Sequence, residues 1–299
     1  MLYQLSYTPA GLAAPSIAGR EWQAWTCPRD HASRLAGGKF ACYTPAMHAP
    51  LGIIDPELLL LAYRSGIFPM ADARDDPEVF WVEPRERAIL PLDHFHLSHS
   101  LAKTLRHGGF EITCNRAFAE VMQACAGPRR GDDGETWISH RIEASYLRLH
   151  DLGFAHSIEC WLNGDLAGGL YGVGFDAVFC GESMFSRVTD ASKVALAWLV
   201  AALRRGGASL LDCQFITPHL ASMGAVEISQ SEYLRALKAA QRPLGAAVGV
   251  AAGLLGDAEG LGAGEALALP AAFGALLAAT YGSSSSPGNF IAQSLTQTS

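Results

Sequence analysis

Most of the short motifs that mark metal, nucleotide or disulfide chemistry are missing from this sequence. Its seven cysteines include no Cys-x-x-Cys pair and mostly lie in apolar runs, which is typical of reduced, buried thiols in a reducing compartment. Neither a Gly-x-Gly-x-x-Gly stretch nor a P-loop occurs, so a phosphate-binding loop is weakly supported. The N-terminus resembles no signal peptide, and the longest apolar stretch, residues 244–256, is shorter than the ~20 residues that span a bilayer. We therefore expect a cytoplasmic protein without a membrane partner.

Charge is also sparse. Charged residues make up 17% of the chain, the net charge is −7, and 49% of the residues are hydrophobic, as in a globular protein with ample material for a core. This balance argues against a surface coated in nucleic acid but is compatible with a local basic patch. Two readings stay open for the basic residues between positions 85 and 148, which either form such a patch or are scattered and solvated. They are Arg85, Arg87, Lys103, Arg106, Arg116, Arg129, Arg130, Arg141 and Arg148.

Changes of pattern divide the chain into four parts. Residues 1–50 show little periodicity and are expected to form a loose extension, and residues 51–88 a small N-terminal domain rich in proline. Residues 89–241 read as helices, then a β-meander, a helix, a strand and a helix, which is the layout of a GNAT-like acyltransferase domain. Residues 242–299 are an Ala-, Gly- and Ser-rich tail that we expect to be only partly ordered. The predicted fold class is therefore α+β, with a small N-terminal domain followed by a GNAT-like acyltransferase domain.

Local signals predict where several helices and one hairpin begin. Asn163-Gly164 predicts a two-residue turn between two strands of the meander. Small polar residues that precede apolar periodic segments predict helix N-caps. These positions are Asp55, Asn115, Asp190, Thr217 and Ser229.

Two strand-like segments carry polar residues where apolar ones are expected. Glu182 lies in the segment Phe179–Ser186, which is otherwise made of apolar and small residues. Burying an unpaired carboxylate is costly, so Glu182 requires either a structural partner or a cationic ligand. Asp212 and Gln214 interrupt a second apolar strand, and alternation along a strand places them on one face and Cys213 on the other. These three polar residues predict a site.

Two other candidates are weaker. His94, His96 and His99 have the spacing of a hydrolytic dimetal motif, but Ser98 stands where such motifs normally carry aspartate, so surface histidines are the better interpretation. Cys213 is expected to face away from Asp212, and nothing near it in the sequence would lower the pKa of its thiol. We therefore expect neither a metal site nor a catalytic cysteine.

Taken in order, the motifs of this chain resemble those of the leucyl/phenylalanyl-tRNA–protein transferase family. The match runs from about Asp55 to Leu234 and leaves residues 1–50 and most of the tail outside. The motifs are Gly66-Ile67-Phe68-Pro69, Thr136-Trp137-Ile138, His156-Ser157-Ile158-Glu159, Gly168-Gly169-Leu170-Tyr171-Gly172, Phe179–Ser186, Ala191-Ser192-Lys193 and Asp212-Cys213-Gln214, with His219, Ser222, Gly224 and Ala225.

The resemblance implies an activity and its partners. Members of the family move Leu or Phe, and also Met, from aminoacyl-tRNA to proteins with N-terminal Arg or Lys and so mark them for degradation. They use no metal or cofactor. Carried over by position, the catalytic pair corresponds to Asp212 and Gln214, and the acceptor-binding carboxylate to Glu182. We expect Asp212 to bind Gln214 and to direct its side-chain oxygen at the attacking amine.

The resemblance also implies how the aminoacyl-tRNA is bound. Trp137 corresponds to the aromatic residue that stacks on the 3′-terminal adenosine of the tRNA. Met70 stands where many members have tryptophan, and a methionine still packs on a base. Leu170 and Phe179 correspond to the pocket for the Leu or Phe side chain. Where members of the family have a basic residue, this chain has His99.

Other readings of the same residues stay open. One is a GNAT-type N-acetyltransferase that uses acetyl-CoA, although the pyrophosphate-binding signature of such enzymes is missing before the helix at Asp190. Another is a non-catalytic tRNA-binding module. A third interprets Asp212 and Glu182 as buried partners of structural arginines.

Overall fold

A seven-stranded sheet with helices on both faces forms most of the structure. The computed structural model describes residues 40–43, 52–107, 109–127, 136–241, 266–283 and 285–296, so the expectations for residues 1–39 and 242–265 lie outside it. The helices are α1 (Pro56–Arg64), α2 (His99–His107), α3 (Phe118–Ala126), α4 (His140–Asp151), α5 (Ala191–Arg205), α6 (Pro218–Ala221), α7 (Gln230–Ala240), α8 (Leu269–Tyr281) and α9 (Pro287–Thr296). The strands are β1 (Phe40–Tyr43), β2 (Phe68–Met70), β3 (Phe80–Pro84), β4 (Glu86–Ile89), β5 (Glu111–Cys114), β6 (Ala155–Leu162), β7 (Asp165–Phe175), β8 (Val178–Ser186), β9 (Leu210–Gln214) and β10 (Val226–Ser229).

The strands form one small and one large sheet. The small sheet has the order β1-β3-β2 and, with α1, forms the N-terminal part of the molecule. The large sheet has the order β10-β4-β9-β8-β7-β6-β5, and all of its pairs are antiparallel except β8 with β9. Helix α5 lies between the parallel strands in sequence, because parallel neighbours need a long crossover connection. Mixed helices and sheets, with the small N-terminal part first, confirm the α+β prediction.

Each face of the large sheet has its own hydrophobic core. One core lies between the sheet and α5, and it includes side chains from α2, α8 and α9. The other core lies on the opposite face, where α1, α3, α4 and α7 pack. Strand β4 follows directly on β3 in sequence but lies in the large sheet beside β9, so it links the small N-terminal sheet to the centre of the large one.

The described part of the C-terminal segment is helical, which the expectation of a partly ordered tail did not include. Helices α8 and α9 pack against α5, and α9 also packs against α2. The rings of Trp198 on α5 and Phe273 on α8 lie 5.7 Å apart. Helix α5 is apolar around most of its circumference, and α8 and α9 cover the side that the sheet leaves open.

Most of the local predictions are confirmed, and two are wrong. Asp55, Thr217 and Ser229 cap their helices through their side chains. Asn163 and Gly164 have φ of 55° and 88°, as the predicted hairpin turn requires. The side chain of Asp190 precedes α5 but makes no capping hydrogen bond.

Asn115 does not cap α3 either. Its side-chain oxygen accepts the backbone N–H of Ser157, and its amide nitrogen contacts His156. The backbone N–H groups of Arg116 and Ala117, at the start of α3, donate instead to the buried carboxylate of Glu159. A strand residue that is distant in sequence therefore takes the capping role that the sequence assigned to Asn115.

Among the helices within the described ranges, none combines the length and the apolar character that crossing a membrane requires.

Candidate active site

A β-bulge aims the side chain of Glu182. The register between β7 and β8 shifts between Tyr171 and Gly172, since Tyr171 pairs with Ser183 and Gly172 pairs with Gly181. Glu182 is the extra residue, and such a bulge re-aims a side chain without ending the strand. The carboxylate reaches the core that α1 and α4 cover, because it accepts hydrogen bonds from residues of that side.

Neutral groups surround the Glu182 carboxylate, which is fully buried. Gln214 Nε2 donates to Oε1 at 2.9 Å, and the Tyr146 hydroxyl donates to Oε2 at 3.2 Å. The Tyr63 hydroxyl is hydrogen-bonded to that of Tyr146 and also contacts Glu182. Burial raises the pKa of Glu182 to about 7, although the hydrogen bonds from Tyr63, Gln214 and Tyr146 lower it.

Asp212 is held by a buried arginine. Arg87 donates from Nε to Oδ1 at 2.9 Å and from Nη2 to Oδ2 at 2.6 Å, while the Tyr233 hydroxyl donates to Oδ2 at 2.9 Å. Burial by itself lowers the pKa of Arg87, but the adjacent Asp212 charge outweighs it and raises the pKa above the usual value. Asp212 is therefore the buried partner of an arginine, and its role in the reaction stays a prediction.

Gln214 joins the two carboxylates. Its backbone N–H donates to Asp212 Oδ1 at 2.8 Å, and its side-chain Nε2 donates to Glu182. Glu182 binds the side-chain amide, while Asp212 binds the backbone N–H, so Asp212 acts on the Gln214 side chain only through the backbone. Gln214 has a φ of 62°, a left-handed conformation that is uncommon for a residue other than glycine.

Alternation along β9 is as predicted. Asp212 and Gln214 contact groups on the α1 and α7 side, while Cys213 lies in the core beneath α5. Burial, and then the Asp212 charge, raises the pKa of the Cys213 thiol well above its usual value. A thiol in this state is a poor nucleophile, as the sequence predicted.

An apolar pocket opens on the α5 side of the same strands. Its empty volume is ≈ 310 Å³, counting the part open to solvent, and Glu182 and Leu170 are among its lining residues. The other lining residues are Tyr171, Gly181, Ser183, Met184, Leu196, Leu199, Leu211, Cys213 and Leu220. The structure therefore places Leu170 at this pocket, whereas Phe179 is absent from its lining. The Phe179 ring is fully buried and lies against Gly172.

Met70 and Trp137, the two residues matched to the adenosine site, lie on neighbouring segments. The N–H of Ala71, which follows Met70, donates to the carbonyl oxygen of Trp137 at 3.2 Å. Met70 is half-buried, whereas Trp137 is 6% exposed and packs in the core beneath α4. Little of the Trp137 ring is therefore accessible in this conformation.

Some of the basic residues between positions 85 and 148 are not available for a surface patch. Arg87 is 1% exposed and bound to Asp212, so it belongs to the core and not to a surface patch. Arg116 pairs with Glu111 at 2.8 Å, and Arg141 donates to the carbonyl oxygen of Gly52. Arg129 and Arg130 lie outside the described residues.

The three spaced histidines behave as surface residues. His94, His96 and His99 are exposed or partly exposed. Within the part of the chain that the structure describes, no group of three or more His, Cys, Asp or Glu side chains is placed to hold a metal ion.

Sequence reasoning missed four residues of this site. Tyr63 and Tyr146 bind Glu182, and Arg87 and Tyr233 bind Asp212. Arg87 had no signal of its own, because it follows Arg85 and Glu86 in a charged run. The tyrosines had none, because tyrosine is common in both cores and surfaces.

The fold and the site together define an α+β enzyme domain in which Glu182 is among the residues that line an apolar pocket on the α5 face of the sheet, while its carboxylate binds the Gln214 amide on the other face. The model of the family described as leucyl/phenylalanyl-tRNA protein transferase matches residues 89–238, and that of its N-terminal domain matches residues 52–85. The chain belongs to this family.

Relatives of this chain carry the same description. A leucyl/phenylalanyl-tRNA–protein transferase of Novosphingobium aromaticivorans is 66% identical over 257 residues, which cover 82% of this chain and 97% of the relative. One of Zymomonas mobilis is 61% identical over 188 residues, which cover 63% of this chain and 70% of the relative. A solved structure of L-PGS from Bacillus licheniformis aligns with a TM-score of 0.32 and 14% identity over 56% of this chain and 55% of that one, too distant to bear on the fold.

Proposed function

We propose that this chain transfers Leu, Phe or Met from aminoacyl-tRNA to the α-amine of proteins whose first residue is Arg or Lys, and so marks them for degradation. Family membership supports the transfer reaction, and one observation supports the basic acceptor. Glu182 is a buried carboxylate whose hydrogen-bond partners, among the described residues, are all neutral. A buried anion without a cation gains most from a cationic ligand.

Glu182 differs in this respect from the carboxylate beside it. Asp212 already pairs with Arg87, so an incoming cation has little to gain there. The guanidinium of an N-terminal arginine, or the ammonium of a lysine, would supply the charge that Glu182 lacks. Because Glu182 is fully buried in the free chain, binding this cation requires neighbouring side chains to move.

The chemistry is the aminolysis of an ester. The acceptor nitrogen bonds to the aminoacyl carbonyl carbon, the bond from that carbon to the 3′ oxygen of the tRNA breaks, and the proton that the nitrogen loses ends on the departing 3′ oxygen. An α-amine has a pKa of about 7.7–8.0, so a minority is already neutral at pH 7. Alignment of the two reactants then supplies ~7–11 kcal/mol of the barrier. The aminoacyl ester is already activated, so the proposed reaction uses no metal or cofactor.

Gln214 has the role of aligning the amine. Its Nε2 donates to Glu182, which leaves Oε1 as the end of the amide that accepts a hydrogen bond from the attacking N–H. Asp212 acts through Gln214, because it binds the backbone of that residue. We therefore assign Gln214 to contact with the reacting amine and Asp212 to the support of Gln214.

The apolar pocket would receive the transferred side chain. Leu170 lines the pocket directly. Phe179 would act indirectly, because its ring packs against Gly172 and fixes the position of that strand. Leucine, phenylalanine and methionine are unbranched at Cβ, and we expect them to be preferred over Ile and Val. A pocket of this kind discriminates by about 1–3 kcal/mol per methylene group.

Aminoacyl-tRNA binding would combine one stacking contact with contacts to phosphates. We assign the 3′-terminal adenosine to Met70 and Trp137, which requires the Trp137 ring to become more accessible than in the free chain. Phosphate contacts make the affinity depend on salt and carry little sequence information. Because the substrate is charged tRNA, we place the activity in the cytoplasm.

The test is transfer of radiolabelled Phe from Phe-tRNA to three peptides that start with Arg, Asp or N-acetylated Arg. We expect label on the free Arg peptide alone. Glu182→Gln should raise KM for that peptide while the KM for Phe-tRNA stays near the wild-type value. Exposed Glu120→Gln is the matched control, and it should change neither constant.

The same peptides separate the alternatives. Label from acetyl-CoA, with none from Phe-tRNA, would establish an N-acetyltransferase. Binding of Phe-tRNA without any transfer would leave a binding module. Label on the Asp peptide would contradict the assignment of Glu182 to a basic acceptor.

A further inference from the structure

Arg87 lies where the N-terminal part of the molecule meets the strand that carries Gln214. It is on β4, beside β9, and its side chain is 1% exposed. Nη1 donates to the carbonyl oxygen of Gly66 at 3.1 Å, while Nε and Nη2 donate to the two oxygens of Asp212. One guanidinium therefore binds the segment just before β2 and the end of β9 at the same time.

Two aromatic rings fix the plane of this guanidinium. Its central carbon lies 4.7 Å from the centre of the Phe68 ring and 4.5 Å from that of Tyr233. The Phe68 ring also packs edge-on against Phe215, the residue after Gln214, with 5.6 Å between ring centres. Lysine has neither the flat fork nor the stacking face that this slot uses, so the position selects arginine.

The contacts of Arg87 lead to Gln214 through one intermediate. Arg87 and Tyr233 hold the Asp212 carboxylate, and Asp212 Oδ1 accepts the backbone N–H of Gln214. That hydrogen bond supports a backbone conformation, φ of 62°, that glutamine rarely adopts. The direction of the Gln214 side chain therefore depends on Asp212, and the position of the Asp212 carboxylate depends on Arg87.

We propose that Arg87 is a positioning residue for the transfer reaction, which holds Gln214 on β9 and the Gly66–Met70 segment in one fixed relation. This inference rests on the proposed function, in which Met70 contacts the terminal adenosine and Gln214 contacts the amine. The ester carbonyl lies between these two contacts, so their separation sets the distance between the amine and the carbonyl carbon. A displacement of 1 Å can cost ~10²-fold in rate.

The experiment measures single-turnover transfer of Phe from Phe-tRNA to an Arg peptide, per folded molecule, for wild type and Arg87→Lys. Arg87→Lys keeps the positive charge but has no fork to bind Asp212 and Gly66 together. We expect its rate to fall about tenfold or more, with the KM for the peptide nearly unchanged. In a Gln214→Ala background, Arg87→Lys should produce no further loss, because the group that it positions is already absent.

Arg64→Lys is the matched control. Arg64 also forms a buried pair, with Asp176 at 2.6 Å, and also lies over a ring, Phe175. The Asp176 carboxylate that it binds lies in the β7–β8 turn, whereas the Asp212 carboxylate that Arg87 binds lies on β9. We expect Arg64→Lys to lower stability while leaving the rate per folded molecule at the wild-type value.

Several outcomes would overturn the inference. They are a wild-type rate for folded Arg87→Lys, an equal loss in the Gln214→Ala background, and an equal loss in Arg64→Lys.

If Arg87→Lys does not fold, the transfer rate of Tyr233→Phe provides the test, since this variant removes one hydrogen bond to Asp212 and preserves the shape of the side chain. A several-fold loss that vanishes with Gln214→Ala supports the role, and an unchanged rate contradicts it. A wild-type chain that transfers nothing would instead overturn the proposed function itself.

Discussion

At the residue scale, the site depends on one carboxylate that is costly to keep charged. Glu182 ionises near neutral pH because burial raises its pKa to about 7, and the hydrogen bonds from its neighbours only partly offset this. In the unfolded chain the same group ionises near pH 4.5. Between these values the folded protein holds a proton that the unfolded chain has lost, so stability falls as pH rises and the loss is complete above about pH 7.

Glu182→Gln should therefore stabilise the protein at alkaline pH and have much less effect at acidic pH. The difference in the free energy of unfolding between variant and wild type should increase by about 2–3 kcal/mol from pH 5 to pH 8. Urea unfolding at the two pH values measures it, with exposed Glu120→Gln as the control. An equal difference at both values would mean that Glu182 does not carry this cost.

Gln214 allows the backbone and the side chain to be separated. Gln214→Gly and Gln214→Ala both remove the amide, so both should lower the transfer rate by about ten- to a hundredfold. Only glycine tolerates a φ of 62° without cost, so Gln214→Gly should be ~1–2 kcal/mol more stable than Gln214→Ala. Single-turnover rates and urea unfolding test this, and a near-normal rate in either variant would remove Gln214 from the reaction.

Sequence reasoning at this scale found the polar residues but not what holds them. Alternation along a strand placed Asp212 and Gln214 on one face, since that needs only local geometry. The partners of Asp212 lie 125 and 21 residues away, on β4 and α7, and no local rule predicts which distant strand or helix packs there. For the same reason the sequence did not predict the hydrogen bond between the Gln214 side chain and Glu182.

At the scale of elements, the bulge between β7 and β8 is what presents Glu182, and two opposed glycines flank it. A Cβ on Gly172 would lie 2.3 Å from the Cys180 carbonyl oxygen and 2.5 Å from the Phe179 ring. A Cβ on Gly181 would meet its nearest atom, the carbonyl oxygen of Asp212, at an ordinary 3.5 Å. The bulge therefore has room for a side chain on one strand and not on the other.

Gly172→Ala should destabilise the protein by about 1–3 kcal/mol or more, because the neighbouring atoms are backbone and a packed ring. Gly181→Ala, on the facing strand, should cost well under 1 kcal/mol. Thermal unfolding of the two variants measures the contrast. Equal effects would show that the bulge is adaptable and does not fix the direction of Glu182.

Elements with strong local signals were predicted well, and those that depend on distant packing were not. The helices capped by Asp55 and Ser229 and the Asn163-Gly164 hairpin follow from residues within one turn. Helices α8 and α9 were missed because the Ala- and Gly-rich sequence after Gln241 and the serine run Ser283–Ser286 are typical of a linker. A clue was present in α5, whose apolar residues extend around the helix and therefore require a cover on both sides.

At the scale of the whole molecule, three arginine–carboxylate pairs connect residues 52–89 with residues 136–241, and the third pair lies within the large sheet. Arg64 pairs with Asp176, Arg74 with Glu143 and Arg87 with Asp212. Each arginine comes from the segment between residues 52 and 89, and each carboxylate comes from the segment between residues 136 and 241. We therefore expect residues 51–88 and 89–241, which the sequence predicts to be two domains, to depend on each other for stability, since these links and strand β4 connect them.

The Arg64–Asp176 pair tests this interdependence without touching the candidate active site. Both side chains are nearly buried, at 9% and 1% exposure, so Arg64→Met should cost about 3–5 kcal/mol by leaving the Asp176 charge without its arginine. Asp176→Asn removes that charge, and asparagine also tolerates the φ of 50° at this turn. The double variant should therefore recover more than half of the stability that Arg64→Met loses.

Urea unfolding should show one transition for every variant by both tryptophan fluorescence and transfer activity, since the links make the N-terminal part unfold with the sheet. Additive effects of the two substitutions, or an early transition of the N-terminal part, would contradict the coupling.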